Sequence, residues 1–189
     1  MTSLSGEVGL LERAIGYALG GLHTITPNAL SAPTPCPEWD LRALLDHMND
    51  SLAALYEAID KGDVTADPVP ADGGDDPVAT FREGAQRVLG AWVPAVREDR
   101  IVTIAGCPMT ARLVACAGAV EVAVHGWDIY QACGVSQPIP RALATDLLEL
   151  SPLLIADADR PSRFAAPVAV SEAGSASDRL VAFLGRNPA

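Results

Sequence analysis

Apolar residues return at steps of three and four from the start of the chain: Val8, Leu11, Ile15, Ala18, Leu22 and Ile25. That period places them on one face of an amphipathic helix. Gly16, Gly20 and Gly21 weaken it, each by about 1 kcal/mol against alanine where nothing packs on them. The next segment, SAPTPCPEWD, carries Pro33, Pro35 and Pro37 and predicts a connection that is not helical. Asp40 is placed to cap a second helix, whose stripe is Leu41, Leu44, Leu45, Met48, Leu52, Leu55 and Ile59.

Residues 62–76, GDVTADPVPADGGDD, are acidic and rich in glycine and proline, the composition of a solvated loop inside one domain. Asp76 followed by Pro77 predicts a helix start, with the missing N–H of proline falling where no partner exists anyway. Val78, Phe81, Ala85, Val88, Trp92 and Val96 form a third stripe, which Pro94 is expected to bend or end. IVTIAGCPMT reads as a short strand and turn. Thr110 then caps a fourth helix that runs to about Cys133 and stops at Gly134. A fifth helical stretch is expected from Arg141 to about Ile155, interrupted by Pro152. The tail reads as an extended piece and a short helix ending at Gly185.

Four long amphipathic helices predict an all-α fold: a four-helix bundle over about 5–135, with a short β hairpin or extended piece and a C-terminal extension over about 136–189. The 189 residues are expected to form a single domain. No strand–helix alternation supports a doubly wound sheet, and neither G-x-G-x-x-G nor G-x-x-x-x-G-K-[ST] occurs.

Charge narrows the function classes. Acidic residues outnumber basic ones 24 to 13, a formal charge of −11. Such a field repels phosphate backbones and anionic membranes, so neither nucleic acid nor membrane is an expected partner. Cys36, Cys107, Cys116 and Cys133 lie far apart without a C-x-x-C pair. The opening residues lack the basic-then-apolar order of a signal peptide. A cytoplasmic protein with reduced thiols is the expectation.

The fourth helix carries the chemistry. Between Arg112 and Arg141 there is no lysine or arginine, and Glu121 and Asp128 are the only acids. Glu121 is surrounded by small and apolar residues, and an unpartnered buried carboxylate costs several kcal/mol. Its neighbour one turn on is His125, on the same face and about 6 Å along the axis. A shared divalent metal would neutralise the charge, since carboxylate oxygen and imidazole nitrogen both suit zinc or a similar first-row metal. His47, on the border of the second helix's stripe, is the candidate third ligand, whereas His23 falls off its stripe and faces water. Two histidines and one carboxylate leave a coordination position open, as catalytic zinc sites do. The plainer alternative is a hydrogen bond between Glu121 and His125, with His47 an ordinary boundary residue.

The runs APTPCPEWDLRALLDHM, AVEVAVHGWDIYQACG and RFAAPVAV…SASDRLVAFLGRNP together resemble the actinobacterial DinB/YfiT-like family. More narrowly they are similar to the metal-binding N-terminal domain of mycothiol-dependent maleylpyruvate isomerase and its stand-alone relatives. The resemblance spans residues 5 to 188. It implies a four-helix bundle with a divalent metal, zinc or nickel, near one end, held here by His47, Glu121 and His125. It brings in Asp128 and Ser51, one turn beyond a ligand each, as supports for those ligands; the bland readings are a solvated residue and an innocent helix position. Trp39 and Trp127 either wall the site or simply pack. Cys36 either approaches the site or is a buried structural thiol, and Cys116 and Cys133 fill core space. The implied activity is a metal-dependent transferase or isomerase that uses a low-molecular-weight thiol, mycothiol, on a small electrophile. The alternative is a non-catalytic metal-binding structural or stress-response bundle. Maleylpyruvate itself is not implied where only the metal domain is matched, and a homodimer is compatible with either function.

Overall fold

Side-chain caps set the helix starts. Asp40 Oδ1 accepts the Ala43 N–H at 2.9 Å and opens α2 (Leu41–Asp60). Asp76 Oδ1 accepts from Val78 and Ala79 and opens α3 (Pro77–Arg97). Thr110 Oγ1 accepts from Leu113 and opens α4 (Ala111–Ala132). With α1 (Ser5–Leu22) these make the predicted bundle, in which α1 packs on α4, α2 on α3, and α2 also on α4. The structure, a computed structural model, describes residues 5–64, 76–97, 100–160, 164–171 and 173–188. Two further helices, α5 (Arg141–Leu154) and α6 (Ala176–Phe183), pack together at one side of the bundle. The mostly helical class expected from the sequence is therefore the observed one.

α4 is the core helix. Its buried residues run almost unbroken from Gly118 to Tyr130, the pattern of a helix covered on all sides. It is long and apolar enough to cross a membrane, yet 83% of its most apolar window is buried inside this protein. Close approach to α1 requires small residues. A Cβ on Gly126 would lie 3.1 Å from both Ala18 Cα and the Tyr17 ring, and one on Gly20 would lie 2.7 Å from Tyr130 Oη.

Four expectations need correction. Ile25 continues the first stripe in sequence but lies beyond the end of α1 at Leu22. The segment 62–76 is not wholly loop: Asp63–Val64 form β1, which pairs parallel to β2 (Ile101–Ile104). The rest of that segment before Asp76 lies outside the described residues. α3 continues past Pro94 to Arg97, and α5 contains Pro152, because each proline removes one backbone bond within the final turn, where little helix remains to disrupt. IVTIAGCPMT gives two strands, β2 and the antiparallel β3 (Cys107–Thr110), joined at Ala105–Gly106, both with positive φ.

Two helices end in the same geometry, with consequences for the site. Gly185 has φ 83°, its N–H bonds to Ala182 O and the Arg186 N–H to Val181 O, the paired bonds of a Schellman motif. Gly134 closes α4 in the same way. A Cβ on Gly185 would also strike Ala165 at 2.7 Å. This turn fixes the direction in which Arg186 leaves α6.

Candidate metal centre

His47 on α2 and Glu121 and His125 on α4 converge at one end of the bundle. His47 Nε2 lies 2.6 Å from Glu121 Oε1, and His125 Nε2 lies 3.2 Å from the same oxygen. One atom from each residue falls within 4.8 Å of the other two. Ligands at about 2.0 Å from a tetrahedral zinc stand about 3.3 Å apart, so the donor set fits a single ion with little movement. A carboxylate hydrogen-bonded between two imidazoles uses the same geometry, so both readings made from the sequence converge on this arrangement. His23 is exposed, as its place off the stripe implied.

A second layer holds His125. Asp128, fully buried, takes the His125 Nδ1–H at 2.9 Å on Oδ2, which leaves Nε2 facing Glu121. The bland reading of Asp128 as a solvated residue is thus overturned. Arg186 donates to the same Oδ2 from Nη2 at 2.9 Å and to Oδ1 from Nε at 3.4 Å. Its Nη2 also reaches Cys36 Sγ at 3.3 Å, and the Cys36 thiol lies 3.5 Å from Asp128 Oδ2. Cys36 therefore stands at the edge of the site, half-buried, rather than within the core. Cys36, His125 and Asp128 could form a second cation cluster, but the Arg186 guanidinium already occupies that side of both Cys36 and Asp128. Ser51 lines the cleft one turn beyond His47, and its hydroxyl makes no hydrogen bond to the side chains of the three candidate ligands.

Trp39 covers the centre. Its ring lies 4.6 Å from that of His47 and 5.9 Å from that of His125, so it walls the site. Trp127 is buried in the core. Cys116 is buried as expected, Cys133 packs at the core's margin, and Cys107 is exposed; none of the four cysteines forms a disulfide.

The electrostatics follow from burial set against partners. Burial alone would raise the Glu121 carboxyl, but the two imidazoles, His125 foremost, outweigh it and hold the group well below the usual range. Burial would push His125 down, yet the Glu121 charge and the bond to Asp128 lift it well above an ordinary histidine. Asp128 is also lowered: desolvation opposes ionisation, and the bonds from His125 and Arg186 prevail.

The centre opens into a cleft of about 1200 Å³ between α2, α4, the β hairpin and the C-terminal segment. Arg186 is the residue that sequence reasoning missed. Helical spacing points only to a cation one turn away on α4, whereas this one arrives from the tail, 58 positions after Asp128. The glycine that ends α6 was the available signal.

No curated protein and no solved structure matches the chain. The family model described as mycothiol maleylpyruvate isomerase N-terminal domain matches residues 11–130. The match takes in α1 to α4 almost entirely, with His47, Glu121, His125 and Asp128, and stops short of the tail that carries Arg186. The chain belongs to the mycothiol maleylpyruvate isomerase N-terminal domain family.

Proposed function

We propose that this protein is a metal-dependent transferase or isomerase in which a low-molecular-weight thiol, mycothiol in kind, reacts with a small electrophile. The observation that carries the reading is the convergence of His47, Glu121 and His125 on one point at the end of an open cleft. These three side chains would hold a divalent ion, zinc by the nature of the donors or nickel, with at least one position facing the cleft. Such an ion would supply the positive charge that turns a thiol into a thiolate near neutral pH.

The chain's own residues do the rest. Asp128 retains the proton on His125 Nδ1, so that the Nε2 lone pair is presented to the ion. Arg186 balances the Asp128 charge and keeps that carboxylate ionised. Trp39 packs at a tilt against both imidazoles and limits their rotation. The apolar wall beyond them excludes water from one side of the reacting groups.

Elemental analysis of protein purified without chelator is expected to find about one equivalent of zinc or nickel. The triple variant H47A/E121A/H125A is expected to lose it. In cobalt-substituted protein, a mycothiol analogue should perturb the visible spectrum. A full equivalent of metal on the triple variant would overturn the site. An unchanged cobalt spectrum at millimolar thiol would favour a non-catalytic metal-binding bundle.

A further inference from the structure

We propose that the cleft receives a molecule with a polar reacting head and an apolar chain about 12 Å long, the head at the metal centre and the chain running toward the β hairpin. This names the electrophile's class and rests on the metal reading above. Among the described residues, the charged groups that line the cleft are Glu38, His47, Glu121, His125 and Arg186, all in or beside the centre. Beyond them the described lining is apolar apart from the Ser51 hydroxyl, with Met109 and Phe164 among it. A sugar or polyanion lying there would leave its polar groups without partners.

The shape of the floor sets the chain's course. Glu121, Ala117, Val114 and Leu113 share one face of α4 and line the cleft over eight residues, about 12 Å of helix. On α2 the lining continues from His47 through Ala54 to Leu55, whose side chain lies against Gly118 on α4. The two helices therefore run in opposite directions beneath the cleft, and the small residues Ala54 and Ala117 leave its middle open. At the far end Leu113 is 45% and Leu153 81% exposed. Contiguous exposed apolar surface of this kind marks a ligand or partner site. Its continuity with the metal centre and its concave form favour a small amphipathic molecule. The volume of about 1200 Å³ is slightly above the usual upper range for such ligands, leaving room for a thiol beside it.

The test is calorimetric binding of n-alkyl hydroxamates, from acetohydroxamate to decanohydroxamate, to zinc-loaded protein. Affinity is expected to rise about fourfold per methylene and to level off when the chain reaches the hairpin. Ala117→Phe, at an exposed position that leaves the fold and ligands untouched, should flatten the series while zinc stoichiometry and acetohydroxamate affinity stay unchanged. Ala54→Phe should do the same from the opposite wall. A flat series on wild-type protein that carries its zinc overturns the proposal. Should the protein hold neither zinc nor nickel, the metal reading fails. The cleft is then tested alone with alkyl carboxylates from acetate to decanoate, a rise with length supporting it and a flat series overturning it. A stable dimer in sedimentation that A117F disrupts would make the cleft a subunit interface, and the proposal would fall.

Discussion

Asp128 and Arg186 form a buried ion pair whose worth can be measured against the layer it supports. The Asp128 side chain has no exposure and that of Arg186 11%, and their closest contact is 2.9 Å. Removing one member strands the other charge away from water, a loss of about 3–5 kcal/mol. R186M leaves the Asp128 charge with the His125 bond and the weak Cys36 thiol contact, and D128N leaves the guanidinium facing a neutral amide. Each kcal/mol moves Tm by about 2–4 °C in a chain of this size, so falls of about 10 °C are expected for either single variant. D128N/R186M strands neither charge and should be less destabilised than the sum of the singles by about 2 kcal/mol. The assay is urea and thermal unfolding of chelator-treated protein. D128N should in addition weaken zinc by about 10–100-fold, because His125 loses the partner that fixes its tautomer. Single losses that add to within about 0.5 kcal/mol would refute the coupling.

Two further outcomes follow from the same geometry. The Glu121 carboxyl is lowered in the folded state, so its contribution is complete above its unfolded value of about 4.3 and is lost as pH falls through the folded value. His125 is raised, so its contribution is complete below about pH 6.5 and is lost as pH rises through the folded value. Metal-free protein should therefore have its highest Tm between about pH 5 and 6.5 and decline toward pH 9, with H125N flattening the alkaline side; a Tm that climbs steadily to pH 8 contradicts this. Where α1 and α4 touch at Gly126, a leucine would have to displace Ala18 backbone and the Tyr17 ring, so G126L should cost at least about 3 kcal/mol in urea unfolding. G126A should fall between the two, its better helix propensity partly offsetting the 3.1 Å contacts; equal stability of G126L and wild type would show the helices further apart than described.

Much of the architecture was legible because it is local. The stripe of α2 and that of α3 from Phe81 to Trp92 predict which residues are buried, while Val78 is half-buried and the Val96 side chain lies outside the described residues; Asp40, Asp76 and Thr110 make the caps expected of them. The glycine stops at Gly134 and Gly185 also hold, since only a residue comfortable at positive φ closes a helix in that way. What failed was context. Pro94 and Pro152 read as breaks, but the cost of a missing N–H depends on how much helix follows, and here little does. Asp63 and Val64 carry no period of their own; they become a strand because β2 offers an edge 40 positions further along, across a connection that contains α3.

The candidate centre divides along the same line. Glu121 and His125 could be paired from their spacing, and His47 from its border position on a neighbouring stripe. Asp128 looked like a residue near a helix end because α4 stops at Ala132, yet the tail covers that end and buries it completely. Beyond Arg112 in its first turn, α4 has no lysine or arginine, yet it has two carboxylates to satisfy. The imidazoles answer one and a guanidinium from beyond α6 answers the other. The second solution depends on a helix ending in a Schellman turn at Gly185, which directs Arg186 back over α4. The C-terminal segment lies outside the matched family residues and is nonetheless part of the site's electrostatics. The four helices alone bring the three candidate ligands together, but they would leave Asp128 a buried charge with a histidine as its only ionisable donor, and the orientation of His125 would rest on that uncompensated group.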